Sequence, residues 1–219
     1  MEELLCIGCG ATIQTEDKIK LGYTPQSALE KGLETGELYC QRCFRLRHYN
    51  EISDVQLTDD DFLRLLHEVG DSDALVVNVV DIFDFNGSVI PGLPRFVAGN
   101  DVLLVGNKKD ILPKSVKDGK VTQWLMERAH EEGLRPVDVI LTSAQNKQAI
   151  KDLIDKIEHC RKGRDVYVVG VTNVGKSTLI NAIIQEITGD KDIITTSRFP
   201  GTTLDKIEIP LADGSHIYD

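Results

Sequence analysis

The octet Gly170-Val-Thr-Asn-Val-Gly-Lys-Ser177 fits the pattern G-x-x-x-x-G-K-[ST], whose chemistry is the holding of phosphate. Gly170 and Gly175 let the backbone wrap closely around a phosphate. The exposed N–H groups and a following helix N-terminus supply partial positive charge. Lys176 is placed to reach the β- and γ-phosphates and Ser177 to coordinate Mg²⁺. Asn173, Val174 and Thr178 complete the cradle. A chance match in a chain of this length is expected on the order of once in a hundred, and a flanking strand and helix lower that further.

A phosphate loop does not choose a base. Asn107-Lys108-Lys109-Asp110 follows an apolar run at 101–106, where a ligand loop of an open α/β sheet belongs. A carboxylate at Asp110 can accept from both N1–H and the exocyclic amine of guanine, whereas adenine offers neither donor in that place. Thr142-Ser143-Ala144 follows another apolar run, and Ser143 and Ala144 would bring a backbone N–H to guanine O6. Pro200-Gly201-Thr202-Thr203 offers hydroxyls that could close over Mg²⁺ and the γ-phosphate, and Asp219 offers a carboxylate to the same Mg²⁺. Lys176, Thr202 and Thr203 are thus the candidate catalytic groups. Taken singly, Asn107–Asp110 reads as well as a solvated polar turn, Thr142–Ala144 is a weak signal and Pro200–Thr203 is more often a turn; their weight comes from standing beside a phosphate loop.

A second chemistry lies near the N-terminus. Cys6-Ile-Gly-Cys9 and Cys40-Gln-Arg-Cys43 are two C-x-x-C pairs 30 residues apart, wider than the usual two-knuckle spacing. Loop closure costs only a logarithm of length, and four thiolates around Zn²⁺ offset it. A redox C-x-x-C is the competing reading, and the second matching pair favours zinc. Cys160 has no partner motif and reads as an ordinary helix residue. Arg42, Phe44, Arg45, Arg47, His48 and Tyr49 follow the second pair. They form a basic and aromatic run that suits phosphate and base contacts, although a solvated helix face explains it equally well.

These residues need elements to hold them. The 219 residues are 41% hydrophobic and 27% charged, enough for one or two domains with real cores. The net charge of −10 argues against non-specific coating of nucleic acid. No apolar stretch reaches the roughly 20 residues of a membrane span, and residues 1–10 lack a signal peptide's features, so a cytoplasmic protein is expected. Residues 1–56 are rich in Cys, Gly and turn formers and need a staple. From residue 57 apolar strands alternate with amphipathic helices, the mark of a mostly parallel α/β sheet. Strands are expected at 74–83, 101–106, 137–142 and 165–171. Helices are expected at 62–69 with Thr58 as a cap, 121–132, 147–162 and 176–187. A hairpin is expected at 206–219 about Asp213-Gly214, and a Thr- and Ser-rich loop at 193–204.

The five nucleotide elements resemble the motifs of translation-factor-class GTPases in a rotated order, with the guanine motif (Asn107, Lys108, Asp110) and the Ser-Ala loop ahead of the phosphate loop. Rotation is physically permissible because every motif sits at a strand's C-terminal end, so sheet position rather than chain order assembles the site. With the paired cysteines, the chain resembles the YqeH family of circularly permuted GTPases, bacterial factors in small ribosomal subunit assembly, over nearly its whole length from Cys6. The resemblance implies an α/β fold in which 57–219 form the permuted P-loop GTPase domain with a mostly parallel sheet and 1–56 a small zinc-binding module. It implies GTP/GDP, Mg²⁺ and Zn²⁺ as cofactors, slow GTP hydrolysis, and the small ribosomal subunit or its rRNA as partner. Asn173 stands where potassium-activated relatives hold K⁺ beside the phosphates. The D-x-x-G motif begun at Asp219 is expected to continue beyond it, along with a second switch. Two rivals stay open at this point: a P-loop metabolic kinase or ATPase, and a zinc-stapled RNA-binding module whose nucleotide domain does not hydrolyse.

Overall fold

The computed structural model describes residues 4–7, 11–20, 22–49, 66–97, 99–171, 173–188, 195–198, 205–211 and 213–218. Seven strands among them form one sheet: β1 (Ala74–Asp81), β2 (Asp101–Asn107), β3 (Asp138–Leu141), β4 (Asp165–Val169), β5 (Thr195–Arg198), β6 (Asp205–Pro210) and β7 (His216–Tyr218). Their order is β3-β2-β1-β4-β7-β6-β5. The first five in that order run parallel, and β6 and β5 add an antiparallel edge.

The strand sequences dictate this arrangement. In β1 nearly every residue is buried, because Val and Leu occupy both faces of the pleat. Leu75, Val77 and Val79 face one layer with Leu103 and Val105 of β2. Against them pack Ile150, Leu153 and Ile157 of one helix, here α4 (Lys147–Arg161), and Leu179, Ile180 and Ile183 of another, α5 (Lys176–Thr188). Ala74, Val76 and Val80 face the opposite layer with Leu104, against Val121, Leu125 and Ala129 of α3 (Asp118–Glu131) and Leu66 and Val69 of the helical stretch 66–71. Each such side chain contributes about 1.5–3 kcal/mol on burial. Successive strands from β1 to β3 move one way and β4 returns to the other flank of β1, so a crevice opens at the strand C-termini between β1 and β4.

The N-terminal part carries α1 (Gln26–Thr35), α2 (Gln41–Tyr49), two isolated bridges, Leu5↔Thr12 and Gln14↔Tyr23, and its own small core around Cys6, Ala11, Cys40 and Cys43.

Several expected boundaries shift. The strand expected at 74–83 stops at Asp81, where the chain enters a hydrogen-bonded turn toward Ser88. The strand expected at 165–171 stops at Val169, because Gly170 already belongs to the phosphate loop. The helix expected from 121 begins at Asp118. The segment 193–204 is not all loop: β-branched Thr195 and Thr196 pair with Glu208 and Ile207 as the edge strand. The hairpin turn falls where expected, with Gly214 at φ 87°. Residues 58–65, with the Thr58 cap and the start of the helix expected at 62–69, lie outside the described residues.

At the N-terminal ends of the strands, away from the crevice, charges stitch the elements together. Arg161, 2% exposed, donates to Glu158, to Asp213 Oδ2 at 2.8 Å and to Ser215 Oγ at 2.6 Å, pinning α4 to the β6–β7 turn. Arg164 donates to Asp101 Oδ2 at 2.6 Å, and Asp165 Oδ1 accepts the His216 amide at 2.9 Å.

Candidate functional site

The phosphate loop fills the crevice. It leaves β4 at Gly170, where an added Cβ would lie 3.0 Å from the Val79 carbonyl oxygen and 3.1 Å from Val174 Cγ2, so a larger residue would push these neighbours aside. Asn173 (φ 69°) and Gly175 (φ 86°) both take left-handed backbone, which curls the loop back on itself before α5 begins. A Cβ on Gly175 would meet Asn107 Nδ2 at 2.6 Å. Lys176 and Ser177 then open α5 directly after the loop, Ser177 buried and Thr178 exposed.

The guanine motif is tied to that loop directly. Asn107, 3% exposed at the end of β2, donates from Nδ2 to the Val174 carbonyl at 2.9 Å, while its Oδ1 is buried with no hydrogen-bond partner among the described residues. Lys108 is left-handed at φ 69°, and its ammonium donates to Asn173 O at 2.9 Å and to Asp81 Oδ2 at 2.6 Å. Asp110 lies exposed in a single 3₁₀ turn, Lys109–Ile111. The Ser143 hydroxyl donates to Asp110 Oδ1 at 2.5 Å, and the Lys109 amide donates to Thr142 O at 3.0 Å. Ser143 is buried, Ala144 packs on the core, and Asn146 caps α4 by accepting the Gln148 and Ala149 amides.

Three loops expected from sequence to act together are therefore joined by hydrogen bonds within one crevice. The arrangement fits a guanine nucleotide: a small-residue loop at a helix N-terminus for phosphates, a carboxylate oriented by a serine for a base bearing adjacent N–H donors, and a buried orphan acceptor on Asn107 between them. Thr202, Thr203 and Asp219 lie outside the described residues.

Asp81 escaped the sequence reading, which took it as the interior of a longer strand. Burial raises its carboxyl, but the Lys108 hydrogen bond, the Phe83 and Asp84 amides and the Lys108 charge together hold it below the ordinary carboxylate value of 3.8. The available signal was an acid closing the run Val-Val-Asn-Val-Val-Asp81, where a ligand loop of a parallel sheet begins.

In the N-terminal part the sulfur atoms of Cys6, Cys40 and Cys43 lie within 4.8 Å of one another, all buried. The Cys40 amide donates to Cys6 Sγ at 3.1 Å, an interaction that favours a thiolate. Three thiols at this separation fit a tetrahedral thiophilic ion such as Zn²⁺. Cys9 lies outside the described residues. Cys160 sits buried in α4, its thiol pushed up first by burial and then by the Asp138 charge, as suits an ordinary core residue.

Comparison with known proteins agrees with this geometry. A family model described as a 50S ribosome-binding GTPase matches residues 165–219. The chain is 64% identical to YqeH of Bacillus subtilis over all 219 of its residues. It belongs to the YqeH family. The permutation is visible in the sheet, since β2 and β3, bearing the guanine and Ser-Ala loops, precede β4 and its phosphate loop. Arabidopsis thaliana NO-associated protein 1 is 33% identical over 238 residues, covering 98% of this chain. The chain spans 59% of the B. subtilis protein and 42% of the plant protein, about half the length of these relatives. Among solved structures, GNP-bound YlqF from T. maritima matches 73% of this chain and 55% of that chain, at 23% identity and a TM-score of 0.47. No helix among the described residues is long and apolar enough to cross a membrane.

Proposed function

We propose that the chain is the nucleotide-binding part of a cytoplasmic GTP-hydrolysing switch whose partner is a ribosomal assembly intermediate. The observation that carries this reading is the Ser143–Asp110 hydrogen bond beside a phosphate loop to which Asn107 is tied. Asp110 reads guanine, Ala144 presents its amide to O6, and the backbone from Gly170 to Gly175 wraps the phosphates. Lys176 neutralises charge on the β- and γ-phosphates. Ser177, Thr202 or Thr203, and Asp219 would hold Mg²⁺, which when bound would screen charge on the transferred group. Loss of the γ-phosphate would remove the partner of the Thr202 or Thr203 hydroxyl, which couples nucleotide state to conformation. Asn173 is the residue whose side-chain oxygen would hold K⁺ beside the phosphates, and such an ion would supply positive charge that speeds hydrolysis.

Residues 1–56 act as a separate zinc module through Cys6, Cys9, Cys40 and Cys43, with residues 57–219 as the GTPase domain. On α2 the Phe44 ring lies tilted against His48 with centroids 4.4 Å apart and meets Tyr49 edge-on at 6.3 Å, and Phe44 and Tyr49 are exposed, an aromatic surface beside Arg42 and Arg45 that suits unpaired RNA bases. The family model's description names the 50S particle; the small subunit is the partner favoured by the family resemblance.

The test uses the intact protein. GTP, not ATP, is expected to be hydrolysed, faster in KCl than in NaCl at equal ionic strength, and Asp110→Asn is expected to shift preference toward xanthosine triphosphate, whose position 2 carries an oxygen. Equal turnover of GTP and ATP overturns the switch reading in favour of a general P-loop phosphotransferase.

A further inference from the structure

The guanine motif of this chain holds its lysine in a costly way. Lys108 is a non-glycine residue in left-handed backbone at φ 69°, a state that costs on the order of 1–2 kcal/mol and persists only where the surroundings impose it. The far end of the side chain is held as well. The ammonium bridges Asp81 Oδ2 at 2.6 Å and the Asn173 carbonyl oxygen at 2.9 Å, so the lysine spans from the end of β2, past the end of β1, to the phosphate loop. On the way Cε passes 4.0 Å from the place a Gly175 Cβ would take, so the stem runs along the wall between the base loop and the phosphate loop.

Asp81 is itself held from several sides. Its Oδ1 accepts the Phe83 amide at 2.9 Å, its own amide donates to Ser88 Oγ at 2.9 Å, and Ser88 Oγ donates onward to Asp84 O at 2.6 Å. Asp84 in turn accepts the Gly87 amide at 2.9 Å, and a Cβ on Gly87 would strike that carboxylate at 2.2 Å. The turn 81–88 is thus a rigid frame that presents one carboxylate oxygen to one ammonium. The Asp81 side chain is 15% exposed and that of Lys108 33%, so the pair is shielded enough for its geometry to matter.

We propose that Asp81 is a positioning residue for the nucleotide: it fixes the Lys108 stem as the apolar wall against which the base and ribose seat, and it acts through Lys108 alone. This rests on the guanine-nucleotide reading of the site. Without the carboxylate, Lys108 keeps only the Asn173 carbonyl, and the four-carbon stem regains its rotamers at the cost of nucleotide affinity.

The experiment is a double-mutant cycle on GDP binding to the whole chain by titration calorimetry: wild type, Asp81→Asn, Lys108→Ala and the double variant. Asp81→Asn is expected to weaken GDP about tenfold, Lys108→Ala at least as much, and the double variant no more than Lys108→Ala alone. That non-additivity shows that the carboxylate acts through the lysine. A full tenfold loss persisting in the Lys108→Ala background, or wild-type affinity in Asp81→Asn, overturns the proposal while leaving the site reading intact. A wild-type chain that binds no GDP overturns the site reading and this proposal together. Asp81→Glu, which keeps the charge one methylene further out, replaces the amide variant if the latter does not fold, and the same loss of effect without Lys108 is expected.

Discussion

Gly175 gathers the steric demands of the phosphate loop into one residue. It takes positive φ, and any Cβ there would press on Asn107 Nδ2, the group that fastens the guanine loop to Val174. Gly175→Ala therefore strains the backbone by about 1 kcal/mol and breaks a buried hydrogen bond worth about another. The expected outcome is a GDP affinity lowered about thirtyfold or more with the fold retained, measured by calorimetric titration beside a thermal melt; unchanged affinity would mean that this glycine is only a turn. The glycine, the lysine and the aspartate of the two nucleotide loops were legible in sequence because their spacing encodes a function. Asp81 was not, because a lone acid after a run of valines looks the same whether it ends a strand or lines a site. Asn78 was equally silent: it sits 4% exposed amid the valines of β1, its Oδ1 without a partner among the described residues, and only the fold shows that it faces the α3 layer.

At the scale of elements, the turn of the β6–β7 hairpin is fastened to α4 by Arg161. The Asp213 carboxyl is held far below its ordinary value, first by the Ser215 hydroxyl and then by Arg161. Asp138 lies below its ordinary value as well; burial raises it, and the Lys156 hydrogen bond, helped by the Val139 amide and the Lys156 charge, outweighs that. A carboxyl whose folded value is lower than its unfolded one stabilises the fold at pH values above the unfolded value and loses that contribution as pH falls through the folded one. Thermal melts are therefore expected to be insensitive to these groups between about pH 7 and 5 and to fall below about pH 4. Arg161→Leu removes several charge-assisted hydrogen bonds and is expected to cost about 2 kcal/mol, or about 4–8 °C at pH 7. Its acid slope should also be shallower, because Asp213 then differs less between folded and unfolded chains. An unchanged melting temperature would show that the hairpin is held by packing alone. The strands and helices of the parallel core were readable because their apolar residues bury on two faces or at helical spacing. Strand β5 was not: it is four residues of Thr, Ser and Arg at an edge, where backbone pairing with β6 rather than an apolar pattern makes the strand.

For the whole molecule, the permuted order is the informative feature. A guanine motif preceding its phosphate loop makes no sense along the chain, and makes full sense in a sheet where β2, β3, β1 and β4 bring their C-terminal ends to one crevice. Sequence could supply the motifs, and through them the fold class. The hydrogen bonds from Asn107 to Val174, from Lys108 to Asn173 and from Ser143 to Asp110 join residues 67, 65 and 33 positions apart, and only the assembled sheet displays them. The central claim is that this crevice selects guanine nucleotides. It is tested most directly by titrating the chain in parallel with GDP and ADP in the presence of Mg²⁺. GDP is expected to bind at least about a hundredfold more tightly, because ADP would leave the Asp110 carboxylate without its donors; ADP affinity within a factor of about ten of that for GDP would contradict the account.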